Sequence, residues 1–169
     1  HHDARRQRQM CIRDRLMSKA SSLYSCLSKT NFSPASLLTQ LNNEICETIS
    51  RGMFVTMLVG IYDSNSKELL ISNAGHEPPI ILNDKSEFSN FIEAGPPLGI
   101  VAKTPYKEYN LKFDKSSMYI FTDGITEIKN PEGKELGSLG FQNYITRFKD
   151  KPNNERLKLI IDNVLLSLI

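Results

Sequence analysis

Apolar residues recur at three- and four-residue steps near both ends of the chain, which predicts amphipathic helices there. The first predicted helix begins at Leu16 without a capping residue. The second begins after Ser33 as N-cap, with Pro34 at its first helical position. We expect these two helices to form a hairpin. Their apolar stripes contain Leu16, Met17, Ala20, Leu23, Tyr24 and Leu27 in the first helix, and Leu37, Leu38, Leu41, Ile45 and Ile49 in the second.

Two further helices are predicted at the C-terminal end, and Asn153 or Asn154 can cap the longer one. Because their stripes are continuous, we expect each helix to bury one face. The stripes contain Phe141, Tyr144, Ile145 and Phe148 in the shorter helix, and Leu157, Ile160, Ile161, Val164, Leu165 and Leu168 in the longer one.

The middle of the chain changes to a period of two, which is typical of strands. In the first predicted strand, 53–62, one face carries Val55, Met57, Val59 and Ile61, and a polar cluster then turns the chain into a hairpin with strand 68–73. Because the loops are short, we expect antiparallel pairing. Helices at both ends with about six strands between them predict an α+β fold. The remaining predicted strands are 79–82, 87–92, 106–113 and 117–122.

Residues 1–15 differ in composition from everything that follows and show neither helical nor strand periodicity. Their last part, MCIRDR, resembles the translation of a transposon-end adapter used to prepare DNA sequencing libraries. We therefore interpret residues 1–15 as a non-native or disordered leader, and residues 16–169 as the domain. A genuine basic tail that binds an acidic surface is the alternative. Both ends of the domain are expected to be cut, since the last helix is still apolar at Ile169.

Composition narrows the class of protein. With 40% apolar and 24% charged residues, the 169-residue chain is expected to form one packed domain. The leader holds five arginines against two aspartates, so the net charge of residues 16–169 alone is about −1. A domain with this charge has no electrostatic footprint for nucleic acid. Three cysteines without a C-x-x-C spacing predict neither a disulfide framework nor a zinc site, and they favour the cytoplasm. We expect no membrane contact, because no segment is long and apolar enough to span a bilayer.

Asp123 and Gly124 directly follow the predicted strand 117–122. By local turn rules an Asp-Gly pair after a strand predicts a type I′ hairpin turn, which needs positive φ at both central residues. A carboxylate at a strand end, followed by a glycine that permits close approach of the backbone, is also a common way to present an oxygen ligand to Mg²⁺ or Mn²⁺. The two interpretations are compatible, because a turn can carry a ligand.

A second candidate lies at the rigid corner 73–79, where Gly75 and two prolines flank His76. His76 can serve as a proton donor, as a phosphate contact or as a hydrogen-bonded structural side chain. The Gly/Pro segment 95–99 is best interpreted as another rigid connection. No nucleophile elbow, phosphate loop or dinucleotide fingerprint occurs in the sequence.

Four segments, which we call the motif segments, together resemble the bacterial metal-dependent serine/threonine phosphatases of the RsbU and SpoIIE kind (PPM-type, protein phosphatase 2C-like). They are 53–57 (MFVTM), 73–79 (NAGHEPP), 95–99 (GPPLG) and 119–127 (YIFTDGITE). The resemblance implies an α/β/β/α sandwich of two antiparallel sheets flanked by helix pairs, here incomplete at both termini. It also implies removal of phosphate from serine or threonine, typically on a phosphorylated anti-sigma-factor antagonist. A non-catalytic, phosphatase-like binding module is the alternative.

Two Mn²⁺ or Mg²⁺ ions are implied by the resemblance, and they activate a water for direct attack on phosphorus. Asp123 matches the family's central metal-binding aspartate, and Gly124 matches the residue after it. The aspartate segment that family members carry before the first helix is replaced here by 9–15, where Asp14 is out of context. The late aspartate segment lies beyond the end of the chain. We therefore expect this fragment to be inactive, since hard cations need several anionic oxygens.

Overall fold

The computed structural model describes residues 2–30, 33–48, 52–89 and 92–166, with side chains from residue 14 onward. Two compact units divide the chain: a first unit of residues 1–78 and 92–113, and a second unit of residues 79–91 and 114–169. The described helices are α1 (His2–Leu27), α2 (Pro34–Thr48), α3 (Asp123–Thr126), α4 (Gly137–Arg147) and α5 (Asn153–Leu166). The described strands are β1 (Met57–Asp63), β2 (Glu68–Ala74), β3 (Ile80–Leu82), β4 (Phe88–Ser89), β5 (Tyr109–Lys112) and β6 (Ser117–Tyr119).

The first unit is an antiparallel sheet of order β1-β2-β5 that packs against α2, which in turn packs against α1. The predicted hairpin is confirmed, with β1 and β2 in register from Met57↔Ala74 to Asp63↔Glu68. Leu38, Leu41 and Ile45 of α2 are fully buried, as their spacing predicts, whereas Ile49 lies outside the described residues. The buried core of this unit is Leu16, Ala20, Leu37, Leu38, Leu41, Ile45, Val55, Val59, Ala74, Leu98 and Tyr106.

The start of α2 follows the sequence prediction and adds a partner from a distant segment. The Ser33 hydroxyl accepts the N–H of Ser36 at 3.2 Å, as an N-cap does. It also donates to the carboxylate of Glu108 at 2.8 Å, and that carboxylate accepts the N–H of Ala35 at 3.3 Å. A carboxylate is favourable at this end of a helix because the free N–H groups carry partial positive charge.

The second unit is an antiparallel sheet of order β4-β3-β6 with the packed helix pair α4 and α5. Each unit therefore contains one antiparallel sheet and one helix pair, and the α+β prediction is confirmed. Among the helices of the described ranges, none has the length and apolarity to cross a membrane. The buried core of this unit is Ile80, Leu82, Phe121, Phe141, Ile145, Ile160 and Val164.

Three expectations about the elements need correction. Helix α1 begins at His2 and not at Leu16, where the apolar stripe starts; the alanine, arginine, glutamine and methionine residues before Leu16 are good helix formers even without an apolar stripe. In α5, Ile160 is buried but Ile161 is 43% exposed, so only part of the predicted stripe packs inward. Of the described residues in the predicted strand 87–92, Phe88–Ser89 form β4; residues 90 and 91 lie outside the described ranges, as does Leu168.

Candidate functional site

The segment that carries the candidate metal ligand begins soon after β6. Thr122 keeps an extended backbone, with φ −105° and ψ 165°, and Asp123 is the first residue of α3. The carbonyl of Thr122 accepts the N–H of Ile125 at 3.0 Å, and the carbonyl of Asp123 accepts the N–H of Glu127 at 2.8 Å. These bonds turn the chain into a helix at Asp123 and away from β6.

The expected type I′ hairpin turn at Asp123 and Gly124 is therefore wrong. Such a turn requires positive φ at both central residues, and neither residue has it. The pair instead occupies a right-handed helical turn, which any residue adopts without strain. A Cβ at Gly124 would make an ordinary van der Waals contact of 3.6 Å with Oγ1 of Thr122, so packing does not exclude a small side chain there.

The Asp123 side chain is exposed, and within the described ranges no hydrogen bond or ion pair engages its carboxylate. The same ranges contain no group of three or more His, Cys, Asp or Glu side chains that could hold a metal ion. Asp14, on α1, is also exposed. Because a hard divalent cation needs several anionic oxygen ligands, these residues do not by themselves fit a two-ion centre.

Two interactions in the second unit fix the strand that leads to Asp123. The Phe121 ring, 8% exposed, packs edge-on against Phe141 with ring centroids 4.9 Å apart. The guanidinium of Arg156 donates to the hydroxyl of Tyr119 at 2.9 Å and thereby ties β6 to α5. The position of the carboxylate is thus set by its backbone, while the carboxylate itself is free to bind.

The corner around His76 is held by contacts on both sides. Asn73 is 2% exposed; its Oδ1 accepts the N–H of His76 at 2.8 Å and its Nδ2 donates to the carbonyl of His76 at 2.9 Å. Gly75 has a φ of +70°, and a Cβ there would lie only 2.5 Å from Cγ of Pro97. Only glycine fits this position. The His76 side chain is half-buried.

Three of the four motif segments meet in the first unit. The N–H of Gly95 donates to the carbonyl of Asn73 at 2.9 Å, which joins the second segment to the third. Val55 and Leu98 exchange two backbone hydrogen bonds of 3.0 and 2.8 Å, which joins the first to the third. The fourth segment, which carries Asp123, belongs to the second unit.

Sequence reasoning missed Asn42, which is fully buried on α2. Its Nδ2 donates to the carbonyl of Val101 at 2.7 Å, and its Oδ1 accepts the N–H of Gly99 at 2.9 Å. The side chain therefore anchors the end of the Gly/Pro motif segment to the helix. A signal was present, because Asn42 is a polar residue among the buried stripe residues Leu41 and Ile45.

Tyr106 was also missed, and it supports the same Gly/Pro segment. Its hydroxyl donates to the carbonyl of Pro96 at 2.9 Å, and its ring would lie 3.0 Å from a Cβ on Gly95. Burial raises the pKa of Tyr106 to about 12, with a smaller contribution from the nearby Cys46. The phenol therefore stays neutral and remains a hydrogen-bond donor at physiological pH.

Comparison with known proteins gives one family for almost the whole chain. Residues 15–167 match the family described as Stage II sporulation protein E (SpoIIE). The chain is also similar to the phosphoserine phosphatase RsbU of Bacillus subtilis, with 28% identity over 151 residues. That match covers 88% of this chain and 45% of RsbU, so the chain spans less than half the length of this relative.

Solved structures of PP2C and RsbU domains share the fold of this chain. The SiaA-PP2C domain of Pseudomonas aeruginosa has a TM-score of 0.77 at 14% identity, over 90% of this chain and 62% of that one. The RsbU and RsbW domains of a Mycobacterium tuberculosis protein have a TM-score of 0.73 at 19% identity, over 90% of this chain and 43% of that one. The Mn-presoaked phosphatase domain of SpoIIE from Bacillus subtilis has a TM-score of 0.58 at 15% identity, over 88% of this chain and 65% of that one.

Proposed function

The chain belongs to the SpoIIE family of PP2C-like phosphatase domains, and we propose that it removes phosphate from phosphoserine or phosphothreonine on a protein substrate. The observation that carries the proposal is the extent of the family match. Residues 15–167 include parts of both structural units and all four motif segments, including Asp123 and Gly124. Similarity to RsbU, a phosphoserine phosphatase, supports the substrate class.

We propose that the intact domain uses two Mn²⁺ or Mg²⁺ ions and that Asp123 is one of their ligands. Its exposed carboxylate has no protein partner within the described residues, and the neighbouring Gly124 is also exposed. The Mn-presoaked SpoIIE relative supports the type of ion. Bound divalent ions would supply an activated water and neutralise phosphoryl charge. Because Asp123 alone cannot satisfy such a centre, we propose that the 169-residue chain is inactive without further acidic residues.

The substrate we propose is a phosphorylated anti-sigma-factor antagonist in a bacterial partner-switching pathway, in the cytoplasm. Two relatives support this choice: RsbU itself, and the structure that contains RsbU and RsbW domains together. Dephosphorylation would then let the antagonist bind its anti-sigma partner.

The direct test compares the 169-residue chain with a longer protein that includes the flanking segments of the native gene. With Mn²⁺ and a phosphoserine protein substrate, we expect phosphate release by the longer protein only. Asp123→Ala should lower its turnover at least a hundredfold, because loss of a metal ligand removes transition-state charge stabilisation. Asp162→Ala, which changes an exposed carboxylate on α5, is the matched control and should keep full turnover.

The alternative function is a phosphatase-like binding module without catalysis. The lone acidic ligand in the described residues favours it if the native gene encodes no others. Sequencing the gene on both sides of Leu16 and Ile169 separates the two: acidic segments upstream and downstream support the phosphatase, and their absence supports the binding module. Turnover by the 169-residue chain that depends on Asp123 would contradict our proposal that this fragment is inactive.

A further inference from the structure

Helix α5 has one apolar face in the core of the second unit and another in contact with solvent. Ile160 and Val164 are buried in that core, which fixes the helix on one side. Leu157, Ile161 and Leu165 follow one another at four-residue steps and are 55%, 43% and 52% exposed. Residues four apart on a helix form a continuous ridge. We call the ridge of these three side chains the α5 face.

The α5 face differs from the single exposed apolar side chains that are common on protein surfaces. Adjacent exposed apolar side chains with polar residues beside them are typical of an interaction surface. The helix is also held in place, because the guanidinium of Arg156 donates to the hydroxyl of Tyr119 at 2.9 Å and to the carbonyl of Lys151 at 2.9 Å. The α5 face is therefore formed before any partner binds.

Two charged residues beside the α5 face indicate which partner fits it. Lys158 and Asp162 each follow a ridge residue by one position, whereas the buried residues each precede one, so the charges border the ridge on the side away from the core. Both are exposed, and within the described ranges neither side chain makes a hydrogen bond or ion pair. A border with one charge of each sign does not complement a partner of uniform charge. It complements the same border in reverse order.

An antiparallel pair of α5 faces has this reverse order. Around a two-fold axis at Ile161, the two Ile161 side chains meet, and Leu157 of each copy meets Leu165 of the other. Lys158 lies about 4.5 Å before the axis along the helix, and Asp162 lies about 1.5 Å after it. Lys158 of one copy and Asp162 of the other are then offset by only about 3 Å along the helix. The symmetry forms this pair twice.

We propose that the α5 face is a contact surface between two copies of this chain, with the apolar ridge at its centre and two ion pairs between Lys158 and Asp162 at its border. This inference does not depend on the proposed phosphatase function. The fourteen-residue helix is about 21 Å long and about 10 Å wide, so the contact is smaller than the roughly 800 Å² per partner of a stable interface. We therefore expect association at high protein concentration, and turnover measured in dilute solution should not depend on it.

The first experiment is sedimentation velocity of the 169-residue chain over a hundredfold range of concentration. We expect the average sedimentation coefficient to rise with concentration towards that of a dimer. Ile161→Glu places two carboxylates at the axis and should weaken the association at least tenfold. Leu139→Glu is the matched control, because Leu139 is a 77% exposed leucine on α4, outside the α5 face, and this variant should associate as the unsubstituted chain does.

The second experiment exchanges the charges at the border of the α5 face. Lys158→Glu and Asp162→Lys should each weaken self-association about tenfold, because both ion pairs become pairs of like charge. An equimolar mixture of the two single variants should associate about as tightly as the unsubstituted chain, since each mixed dimer again contains two pairs of opposite charge. Mixing changes neither chain, so this recovery cannot come from a change in folding.

Three outcomes would overturn the proposal. A monomer at every concentration would mean that the α5 face does not bind a second copy and has a different occupant. Equal losses in Ile161→Glu and Leu139→Glu would show general association of apolar surface, and a mixture without recovery would exclude the antiparallel pairing. If Ile161→Glu loses its helical circular dichroism, the charge variants decide the question, because they change only exposed residues.

Discussion

The corner at Gly75 and the turn at Asp123 both carry motif residues, but neighbouring atoms constrain them to very different degrees. In the first unit a buried amide, a crowded glycine and bonds between three motif segments leave the corner one conformation. In the second unit Asp123 lies exposed on a four-residue helix, and a Cβ at Gly124 would make only an ordinary contact with Thr122. The motif residues of the corner are thus explained by packing, whereas packing explains neither Asp123 nor Gly124. A residue that packing does not require is a better candidate for chemistry.

The strongest test of this contrast is Gly75→Ala. The substitution adds the cost of positive φ, about 1–2 kcal/mol, to an overpacking cost of about 1–3 kcal/mol against Pro97. We expect a loss of about 2–5 kcal/mol in the free energy of unfolding, measured by urea denaturation. Gly52→Ala is the control, because Gly52 has a φ of +90° with nothing within 4 Å of a Cβ. Equal losses in the two variants would show that the corner is not crowded.

A second test removes the amide that anchors the Gly/Pro segment to α2. Asn42→Ala leaves the N–H of the half-buried Gly99 without its acceptor and the carbonyl of Val101 without its donor, so we expect a loss of about 2–3 kcal/mol in urea denaturation. Asn43→Ala is the control, since its Oδ1 accepts only the N–H of Lys103 near the surface, and it should cost about 0.5–1 kcal/mol. Similar costs for the two variants would mean that the anchor does not depend on burial.

A third test uses the pKa of Tyr106. The phenol has a pKa of about 12 in the folded chain and about 10 when unfolded. Above pH 10 the unfolded state therefore loses its proton first, and stability falls between about pH 10 and 12. Tyr106→Phe should cost about 1 kcal/mol at pH 7, through the lost bond to Pro96. The difference between the two proteins should shrink as the pH rises above 9 and should reverse in sign by pH 11.5, measured by urea midpoints, because the loss from the Tyr106 phenol then exceeds the stability that its hydrogen bond contributes; a constant difference would contradict the shifted pKa.

The smallest expected effect on stability is at the turn itself. Asp123→Ala removes an exposed carboxylate that has no partner within the described residues, so we expect a change of less than about 0.5 kcal/mol. A thermal melt of the 169-residue chain measures it. Together with the turnover expected to be lost in the longer protein, an unchanged melting temperature would separate a chemical role for Asp123 from a structural one. A loss of stability above about 1 kcal/mol would show that Asp123 has a structural role, as the residues of the corner do.

Periodicity and capping in the sequence determined the α+β class, the hairpin of β1 and β2 and the start of α2 at Ser33, because these depend on neighbours within a few residues. The hairpin turn predicted at Asp123 was wrong because that prediction also used only neighbouring residues. An Asp-Gly pair has a local preference for a hairpin, whereas hydrogen bonds in and next to α3 hold this pair in a helical turn. The prediction that the apolar stripe of α5 is buried was only partly confirmed. Periodicity indicates which residues share a face, but not how much of that face packs against another element.

Only the tertiary structure showed why the corner needs glycine at position 75, because Pro97 comes from a separate segment of the chain. The roles of Asn42 and Tyr106 also depend on distant carbonyls, those of Val101 and Pro96, and no local rule identifies such partners. Sequence resemblance marks the carboxylate at position 123 as a candidate metal ligand. The fold determines that this carboxylate is exposed. Local physics thus determines the elements, while contacts between segments far apart in the chain decide which side chains are held and which remain free to bind.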